Sequence, residues 1–369
     1  MSASEIPGSG SVNPHRFSVT AQAYPGTDSL AAMGVISQDV RSGSKPDRNL
    51  ALELVRVTES AALAASRWIG RGDKLAADGA AVDAMRLLLD TVPMDGVVVI
   101  GEGEKDEAPM LYNCENIGDG SPPAVDIAVD PLEGTTLTAR GFGGALAVIA
   151  LSERGTMFDP GPCVYMEKMA AATEFKDLLS FDEPIGEVIR KIGEKKGGGP
   201  EEVTLTILDR ERHMDTVKEI RESGATIRFI TDGDVQGALL AVSDDTGIDL
   251  LWGIGGTPEG VLAASAIKCL GGEIIGKLYP RNDEERNAAI EAGYDLDRVL
   301  TSDDLVSGND VFFAATGVTD GDLLDGVHRG KDFATTQSLV MRSRSGTVRK
   351  IGARHDRAKL REITGGIYG

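Results

Sequence analysis

The hydrophobic pattern of the chain changes character near residue 49. Residues 1–47 are rich in Ser, Gly, Pro and Ala and show no sustained period, which is typical of a disordered extension. From there apolar residues recur at helical spacing over residues 49–69, and a second helix is predicted over residues 78–89. Two helices joined by a polar loop at residues 71–74 are therefore expected.

Short apolar runs predict strands after these helices. Three of them end in glycine or acidic residues, at residues 97–100, 125–129 and 145–151. Carboxylates are thus expected to collect at strand ends. A polar, glycine-rich stretch at residues 195–200 indicates a connection to a second region.

The second region alternates between strand and helix patterns. The predicted strands are residues 203–208, 226–230 and 250–254, and the predicted helices are residues 212–223, a segment after Asp234, and residues 258–270. This alternation indicates an α/β sheet with ligand-binding loops at its strand ends. The remaining elements are a strand at residues 310–316 and a hairpin of residues 338–343 and 347–351 that turns at Ser345 and Gly346.

Length and charge narrow the class of protein. A chain of 369 residues is longer than one hydrophobic core usually organises, which favours two domains or one large layered unit. Its 38 Lys and Arg against 58 Asp and Glu give a net charge of −20, which argues against nucleic acid or an anionic membrane as a partner. Phosphorylated substrates would be repelled too, unless divalent cations bound to clustered carboxylates reverse the local charge.

Cysteine usage and the N-terminal sequence favour a soluble cytoplasmic protein. The three cysteines are far apart and form no C-x-x-C pair, so neither a disulfide framework nor a zinc knuckle is indicated. No basic segment leads into an apolar stretch at the N-terminus, and no apolar run is long enough to span a bilayer.

The most informative motif follows the predicted strand at residues 125–129. That strand delivers Asp130 at its end, and Pro131 is predicted to force a turn that brings Glu133 back towards it. Gly134 and Thr135 then expose backbone N–H groups and a hydroxyl at a helix start, which suits an anion. The local alternative is an ordinary strand followed by an acid-capped helix.

Other acids follow the same placement. Glu102 and Asp106 come directly after the predicted strand at residues 97–100. Asp78 and Glu259 also have local alternatives, as a helix N-cap and as a first-turn acid that suits the helix dipole. Several acids and only four histidines indicate hard, oxygen-binding cations such as Mg²⁺ or Mn²⁺. Two such ions about 4 Å apart would clamp a phosphate oxygen and activate a water.

Six strings together resemble class II fructose-1,6-bisphosphatases of the glycerol-operon type. They stand at residues 71–79, 100–104, 130–135, 165–168, 232–234 and 253–260. The string at 130–135 alone marks only the wider metal-dependent, lithium-sensitive phosphatase superfamily, which includes inositol monophosphatases. The resemblance runs collinearly from about residue 49 to the C-terminal hairpin.

The resemblance implies a site for two or more Mn²⁺ or Mg²⁺ ions. Residues that match ligands of one ion are Asp78 and Glu102, and residues that match ligands of the other are Asp130, Glu133 and Glu259. Residues that match the groups orienting and deprotonating the attacking water are Asp106 and Thr135, with Lys74 as a supporting charge.

The resemblance also implies a substrate subsite. The phosphate to be cleaved would lie at Glu133, Gly134 and Thr135, and Tyr165 would contact the sugar phosphate. The uncleaved phosphate would be held by Arg210 and Arg212. The sugar hydroxyls would be accepted by Asp232 and Asp234, and the backbone of Gly256 would provide a further contact. The local alternatives are a solvated charge run for the two arginines and a turn with an N-cap for the two aspartates. Two positions depart from the family pattern, since Arg210 stands where lysine is expected and Thr257 where alanine is expected.

The fold implied is α/β with an α+β N-terminal region, in the layered α-β-α-β-α arrangement of sugar phosphatases with two sheets. The implied domains are an N-terminal extension (1–47), a metal-binding α+β domain (48–200), a substrate-binding α/β domain (201–335) and a C-terminal hairpin that packs back on the metal-binding domain (336–369). The implied reaction is hydrolysis of the 1-phosphate of fructose 1,6-bisphosphate in gluconeogenesis, by a homodimer or homotetramer.

Other classes fit less well. The segment 271–277 nearly spells a P-loop, but Leu278 replaces the required Ser or Thr. The glycine strings at 101 and 253 have Asp106 and Pro258 where a dinucleotide fingerprint needs glycine, and no G-x-S-x-G elbow is present. A sedoheptulose 1,7-bisphosphatase, an inositol-phosphate or nucleotide-phosphate phosphatase, and a non-catalytic scaffold stay as alternatives, although none of the matched acids is missing.

Overall fold

The computed structural model describes residues 49–103 and 110–363. The predicted disordered extension at residues 1–47 and the predicted catalytic residue Asp106 lie outside these ranges. The described α-helices, in chain order, are α1 Ala51–Ala65, α2 Lys74–Leu89, α3 Thr135–Arg140, α4 Ile185–Lys196, α5 Met214–Ser223, α6 Asp234–Val242, α7 Thr257–Leu270, α8 Asp283–Glu291, α9 Ser302–Leu305 and α10 Arg357–Ile363.

Each predicted strand is present, and three further strands, at residues 116–117, 165–171 and 328–329, were not predicted. In chain order they are β1 Asp95–Ile100, β2 Asn116–Ile117, β3 Ala124–Glu133, β4 Leu146–Glu153, β5 Tyr165–Ala171, β6 Thr204–Leu208, β7 Thr226–Ile230, β8 Leu250–Gly256, β9 Glu273–Leu278, β10 Phe312–Gly317, β11 His328–Arg329, β12 Phe333–Arg342 and β13 Thr347–Asp356. The predicted C-terminal hairpin is confirmed as β12 and β13, which are joined by a short 3₁₀ turn and by Gly346 at a φ of 56°.

Two mixed sheets are formed. The first has the order β11-β12-β10-β4-β3-β1-β2. Strand β13 lies outside this order and also pairs with β12. In it β1 and β3 are parallel, so both deliver their C-terminal ends to the same edge. The second has the order β7-β6-β8-β5-β9, in which β6 runs parallel to β7 and β8 and β5 runs antiparallel to both of its neighbours.

Three buried clusters separate the layers. The first holds Leu54 of α1 and Met85 of α2 against Ile149 on one face of the first sheet. The second joins the other face of that sheet, through Val148, to α6, α7 and the inner face of the second sheet. The third packs α4 and α5 on the outer face, where Met169 lies. The α/β class and its layered arrangement with two sheets are therefore confirmed.

Strand β4 shows why the sequence indicated a central strand. Residues 146–151 alternate between the first and second clusters, so both faces of the strand are buried and the run is continuously apolar.

The domain boundaries predicted near residues 48, 200 and 336 stay predictions.

Helix α2 begins four residues earlier than predicted. Asp73 is its N-cap, because the Asp73 carboxylate accepts a hydrogen bond of 3.0 Å from the backbone N–H of Ala76. Asp78 consequently lies inside the helix, and its alternative interpretation as an N-cap is wrong.

In the described residues the three cysteines are free, and no helix is long and apolar enough to cross a membrane.

Candidate active site

A bulge in β3 positions two carboxylates. The prediction that Pro131 forces a turn is wrong, because β3 continues to Glu133. Asp130 pairs with Val148 and Glu133 with Leu146, so β3 has one more residue than β4 over this stretch. The Asp130 carboxylate accepts a hydrogen bond of 3.0 Å from the N–H of Leu132, which holds it at the bulge.

Gly134 allows the chain to leave the bulge directly into a helix. Its φ of 86° lies in the left-handed region, which a residue with a side chain rarely adopts. Helix α3 begins at the next residue, so Thr135 lies at the helix start as predicted.

Glu102 and Asp78 approach the bulge from two other elements. Glu102 follows β1, the parallel neighbour of β3, and Asp78 lies in the second turn of α2. Burial, together with the charge of Asp78, raises the pKa of Glu102 to about 7. Burial also raises the pKa of Asp78.

The start of α6 links the second sheet to the bulge. The Glu133 Oε1 atom accepts a hydrogen bond of 2.6 Å from the backbone N–H of Val235 in the first turn of α6. Asp234, the first residue of that helix, is buried, and Gly233 before it has a φ of 89°. Asp232 follows the end of β7, and its Oδ1 atom lies 3.9 Å from the Nη2 atom of Arg210.

Glu259 reaches the same place from α7. It lies in the first turn of that helix, directly after β8. A Cβ atom on Gly256 would come within 1.6 Å of Glu259 Oε2, so a larger residue at this position would force the carboxylate to move.

These residues line one pocket of about 280 Å³. The predicted site residues that line it are Asp78, Glu102, Asp130, Glu133, Gly134, Thr135, Asp232, Asp234 and Glu259. Among the predicted site residues that the structure describes, those that do not line it are Lys74, Tyr165, Arg210, Arg212 and Gly256. The structure thus brings together acids from five separate segments of the chain, and both sheets contribute.

Burial, and after it mutual repulsion, raises the pKa values of these acids. Burial, followed by the charges of Glu102 and Glu133, raises the pKa of Asp130 well above its usual value. Burial and the charge of Asp234 do the same for Glu133, against the opposing effect of the Val235 N–H. Ionising such a cluster at neutral pH is unfavourable unless positive charge is supplied.

The donor set fits hard divalent cations. Glu133 Oε2 and Glu259 Oε2 are buried and accept no hydrogen bond from the part of the chain described, and carboxylate oxygens are the ligands that Mg²⁺ and Mn²⁺ prefer. Within residues 49–103 and 110–363, however, no three His, Cys, Asp or Glu side chains are already gathered closely enough to hold an ion. Coordination would therefore require the carboxylates to rotate inwards.

Arginines and an aromatic ring form a group beside the pocket. The guanidinium groups of Arg212 and Arg281 lie 5.1 and 5.3 Å from the centre of the Tyr165 ring. Arg212 also donates hydrogen bonds of 3.0 and 2.6 Å to the carbonyl of Ile254. Arg210 donates one of 2.8 Å to the carbonyl of Thr231. Lys74 is exposed at the start of α2, one turn before Asp78.

Two residues near the site were not predicted to act there. Arg281 shares the Tyr165 ring and follows β9, so its position after a strand end is the available signal. Lys168 is 2 % exposed, and its Nζ lies 2.6 Å from Asp234 Oδ2. Lys168 belongs to the string at 165–168, but a lysine in an apolar strand gives no indication of its partner.

His213 has a structural place. It is fully buried, its Nε2 accepts a hydrogen bond of 3.0 Å from the N–H of Ile254, and its Nδ1 lies 2.8 Å from the carbonyl of Leu208. Both ring nitrogens are thus satisfied by a neutral imidazole. The ring ties the end of β6 to β8.

Comparison with known proteins shows the family of the chain. A sequence model described as bacterial fructose-1,6-bisphosphatase, glpX-encoded, matches residues 48–355. The fructose-1,6-bisphosphatase class 2 of Haemophilus influenzae is 44 % identical over 322 residues, which cover 84 % of this chain and 96 % of that protein. The fructose-1,6-bisphosphatase 1 class 2 of Escherichia coli K12 is 44 % identical over 321 residues, covering 84 % and 95 %. The chain belongs to the class 2, glpX-type family of bacterial fructose-1,6-bisphosphatases.

Proposed function

We propose that this chain hydrolyses fructose 1,6-bisphosphate to fructose 6-phosphate and phosphate at the acidic pocket. The observation that carries the proposal is the convergence of Asp78, Glu102, Asp130, Glu133 and Glu259 on one cavity. In a protein of this family, cations bound to such a cluster neutralise the carboxylates and supply the positive charge that a phosphate group needs.

The family implies dependence on divalent metal ions, and we propose Mn²⁺ or Mg²⁺. Asp78 and Glu102 would hold one ion, and the ligands of the other would be Asp130, Glu133 and Glu259. When bound, the ions would neutralise the carboxylates, polarise the phosphate and lower the pKa of water.

The chain supplies the proton transfer and the orientation of the water. Thr135, at the start of α3, lines the pocket and would orient the attacking water through its hydroxyl. Asp106 would accept the proton from that water, and Lys74 would add positive charge near α2. An Asp106→Asn variant is expected to lose about 10²-fold in kcat with little change in KM, as for removal of a general base.

The arginine group would hold the phosphate that is not cleaved. Arg210 and Arg212 flank the loop after β6, and a guanidinium can grip a phosphate in bidentate fashion. Asp232 and Asp234 line the pocket between this group and the bulge and would accept sugar hydroxyls. Tyr165 and the Gly256 backbone would complete this subsite.

A substrate panel tests the proposal. Phosphate release is measured with fructose 1,6-bisphosphate, sedoheptulose 1,7-bisphosphate, fructose 1-phosphate and inositol 1-phosphate, each with Mn²⁺, with Mg²⁺ and with chelator. The expected result is metal-dependent turnover with the highest kcat/KM on fructose 1,6-bisphosphate. Preference for inositol 1-phosphate would retain the chemistry and refute the substrate, and no turnover on any of them would favour a scaffold.

We further propose that the enzyme works in the cytoplasm as a homodimer or homotetramer. Light scattering of the purified chain, with and without Mn²⁺, measures the mass of the assembly. A monomer under both conditions would refute the oligomer.

A further inference from the structure

Lys168 is a buried cation among the acids of the pocket. It lies in β5, between β8 and β9, and is paired with Gly253 on one neighbour and Gly276 on the other. Its side chain is on the face where Met166 and Ala170 join the buried cluster between the sheets.

The ammonium group of Lys168 connects two helix starts. Its Nζ lies 2.6 Å from Asp234 Oδ2, a close ion pair at the first residue of α6. It also donates a hydrogen bond of 2.7 Å to the carbonyl of Gly256, the residue before α7. One side chain thus contacts an acid that lines the pocket and the peptide unit that leads to Glu259.

Two glycines lie directly beside the carboxylates of Asp234 and Glu259. A Cβ atom on Gly255 would come within 2.4 Å of Asp234 Oδ2, and one on Gly256 within 1.6 Å of Glu259 Oε2. The two glycines therefore give space to the two carboxylates, and Lys168 supplies the attraction that holds this arrangement. Burying an ammonium group is unfavourable unless it is paired, so removing either partner would be felt by the other.

We infer that Lys168 is a positioning residue for the fructose-bisphosphatase reaction, one that orients Asp234 towards the sugar and fixes the Gly256 turn that places Glu259 towards the metal. The inference rests on the roles proposed above for those two acids. Lys168 acts through these two acids, and we propose no contact between Lys168 and the reacting phosphate. Residues that orient metal ligands typically contribute about 10- to 100-fold to metal affinity or activity.

The test compares Lys168→Met with a matched control, Lys268→Met. Lys268 lies on α7, at the opposite end from Glu259, and forms an ion pair with Asp303. Both substitutions remove one positive charge, so any effect of net charge is shared. Mn²⁺ affinity is measured by electron paramagnetic resonance without substrate, and KM and kcat by phosphate release from fructose 1,6-bisphosphate.

The expected result for Lys168→Met is Mn²⁺ binding weaker by about 10- to 100-fold and a KM raised by a similar factor, with Lys268→Met like the wild type. In an Asp234→Asn background the effect on KM should shrink, because the partner charge is gone, while the loss of Mn²⁺ affinity persists through Gly256. A Lys168→Met protein that loses only thermal stability, with Mn²⁺ affinity and KM unchanged, would overturn the inference.

A variant that does not fold leaves the inference testable. The double variant Lys168→Met/Asp234→Asn removes both charges of the ion pair and buries no unpaired ion. Equal Mn²⁺ affinity in that variant and in Asp234→Asn alone would refute the role of Lys168. Because Mn²⁺ binding is measured without substrate, this outcome is separate from failure of the proposed reaction, which would appear as a wild type without turnover.

Discussion

Gly256 shows how a single residue controls the placement of a ligand. A methyl group at this position would come within 1.6 Å of Glu259 Oε2, a distance that forces the carboxylate to move. Two neighbouring glycines, Gly255 and Gly256, therefore stand where two carboxylates need space. Their presence is explained by the site and not by the strand, in which glycine is unfavourable.

A Gly256→Ala variant is expected to lose activity through Glu259. Displacement of a positioned group by about 1 Å can reduce kcat/KM about a hundredfold. The control is Gly352→Ala in β13, where an added Cβ has no heavy atom of another residue within 4 Å. Steady-state kinetics and Mn²⁺ binding are measured for both, and a fully active Gly256→Ala enzyme would refute the role of Glu259.

Glu102 gives the metal-free protein a pH-dependent stability. Burial and the charge of Asp78 raise its pKa from 4.5 to about 7. Such a carboxyl binds its proton more tightly when folded, so the free energy of unfolding falls as the pH rises through this window.

The expected result is a thermal midpoint of the metal-free protein that decreases between about pH 5 and pH 8. A Glu102→Gln variant should show a smaller decrease, since it has no proton to lose there. The exposed Glu201→Gln variant serves as the control and should follow the wild type. Equal slopes for all three proteins, measured in the presence of chelator, would contradict the assignment.

Local patterns in the sequence could predict individual site residues where a strand end delivers them, whereas Asp78 could be assigned only through the family resemblance. Asp130, Glu133 and Glu102 follow apolar runs, and the structure brings all three to one pocket. Asp78 could not be distinguished from a cap, because Asp73, the actual N-cap, stands five residues earlier in an equally plausible position. Lys168 could not be predicted, because its partners come from α6 and β8, far along the chain.

At the scale of elements, the ends of β6 and β8 form one unit beside the pocket. His213 bonds to the backbone of both strands, and Arg212 donates two hydrogen bonds to the carbonyl of Ile254. This unit holds Arg212 against the Tyr165 ring. The guanidinium group of Arg212 is therefore held by contacts to the backbone and to the Tyr165 ring, although the residue is exposed to solvent.

An Arg212→Ala variant is expected to raise the KM for fructose 1,6-bisphosphate about 10- to 100-fold, because charge-assisted hydrogen bonds to the second phosphate are lost. The KM for fructose 1-phosphate, which has no second phosphate, should hardly change. Arg221→Ala on α5, whose guanidinium lies over Phe229, is the matched control. An equal rise for both substrates would refute the grip on the second phosphate.

The elements themselves could largely be predicted, because long apolar runs and alternating helix and strand patterns are local signals. The bulge in β3 could not be predicted, since Pro131 usually ends a strand and the extra residue becomes visible only in the pairing with β4. The order of strands in the two sheets likewise depends on long-range pairing. Strand β5, for example, precedes β6 in the chain but lies between β8 and β9.

At the scale of the whole molecule, the chain has a formal net charge of −20, and several of the acids that contribute to it line one pocket. Divalent ions that bind the folded but not the unfolded chain stabilise it by mass action, by about 2.7 kcal/mol at a free concentration 100 times the dissociation constant. The thermal midpoint should therefore rise with added Mn²⁺ or Mg²⁺ and return to its starting value with chelator. A midpoint insensitive to both ions would contradict a metal site in this pocket.

The carboxylates at the β3 bulge are proposed to carry the reaction. The most direct measurement compares phosphate release from fructose 1,6-bisphosphate by the wild type, Asp130→Asn and Asp126→Asn at saturating Mn²⁺ and with chelator. Asp126 is a buried carboxylate of the same strand that accepts hydrogen bonds from Thr156 and Met157 outside the pocket. Metal-dependent turnover is expected for the wild type and Asp126→Asn, and a loss of about 10²-fold or more for a folded Asp130→Asn. Undiminished turnover by Asp130→Asn would contradict the proposal.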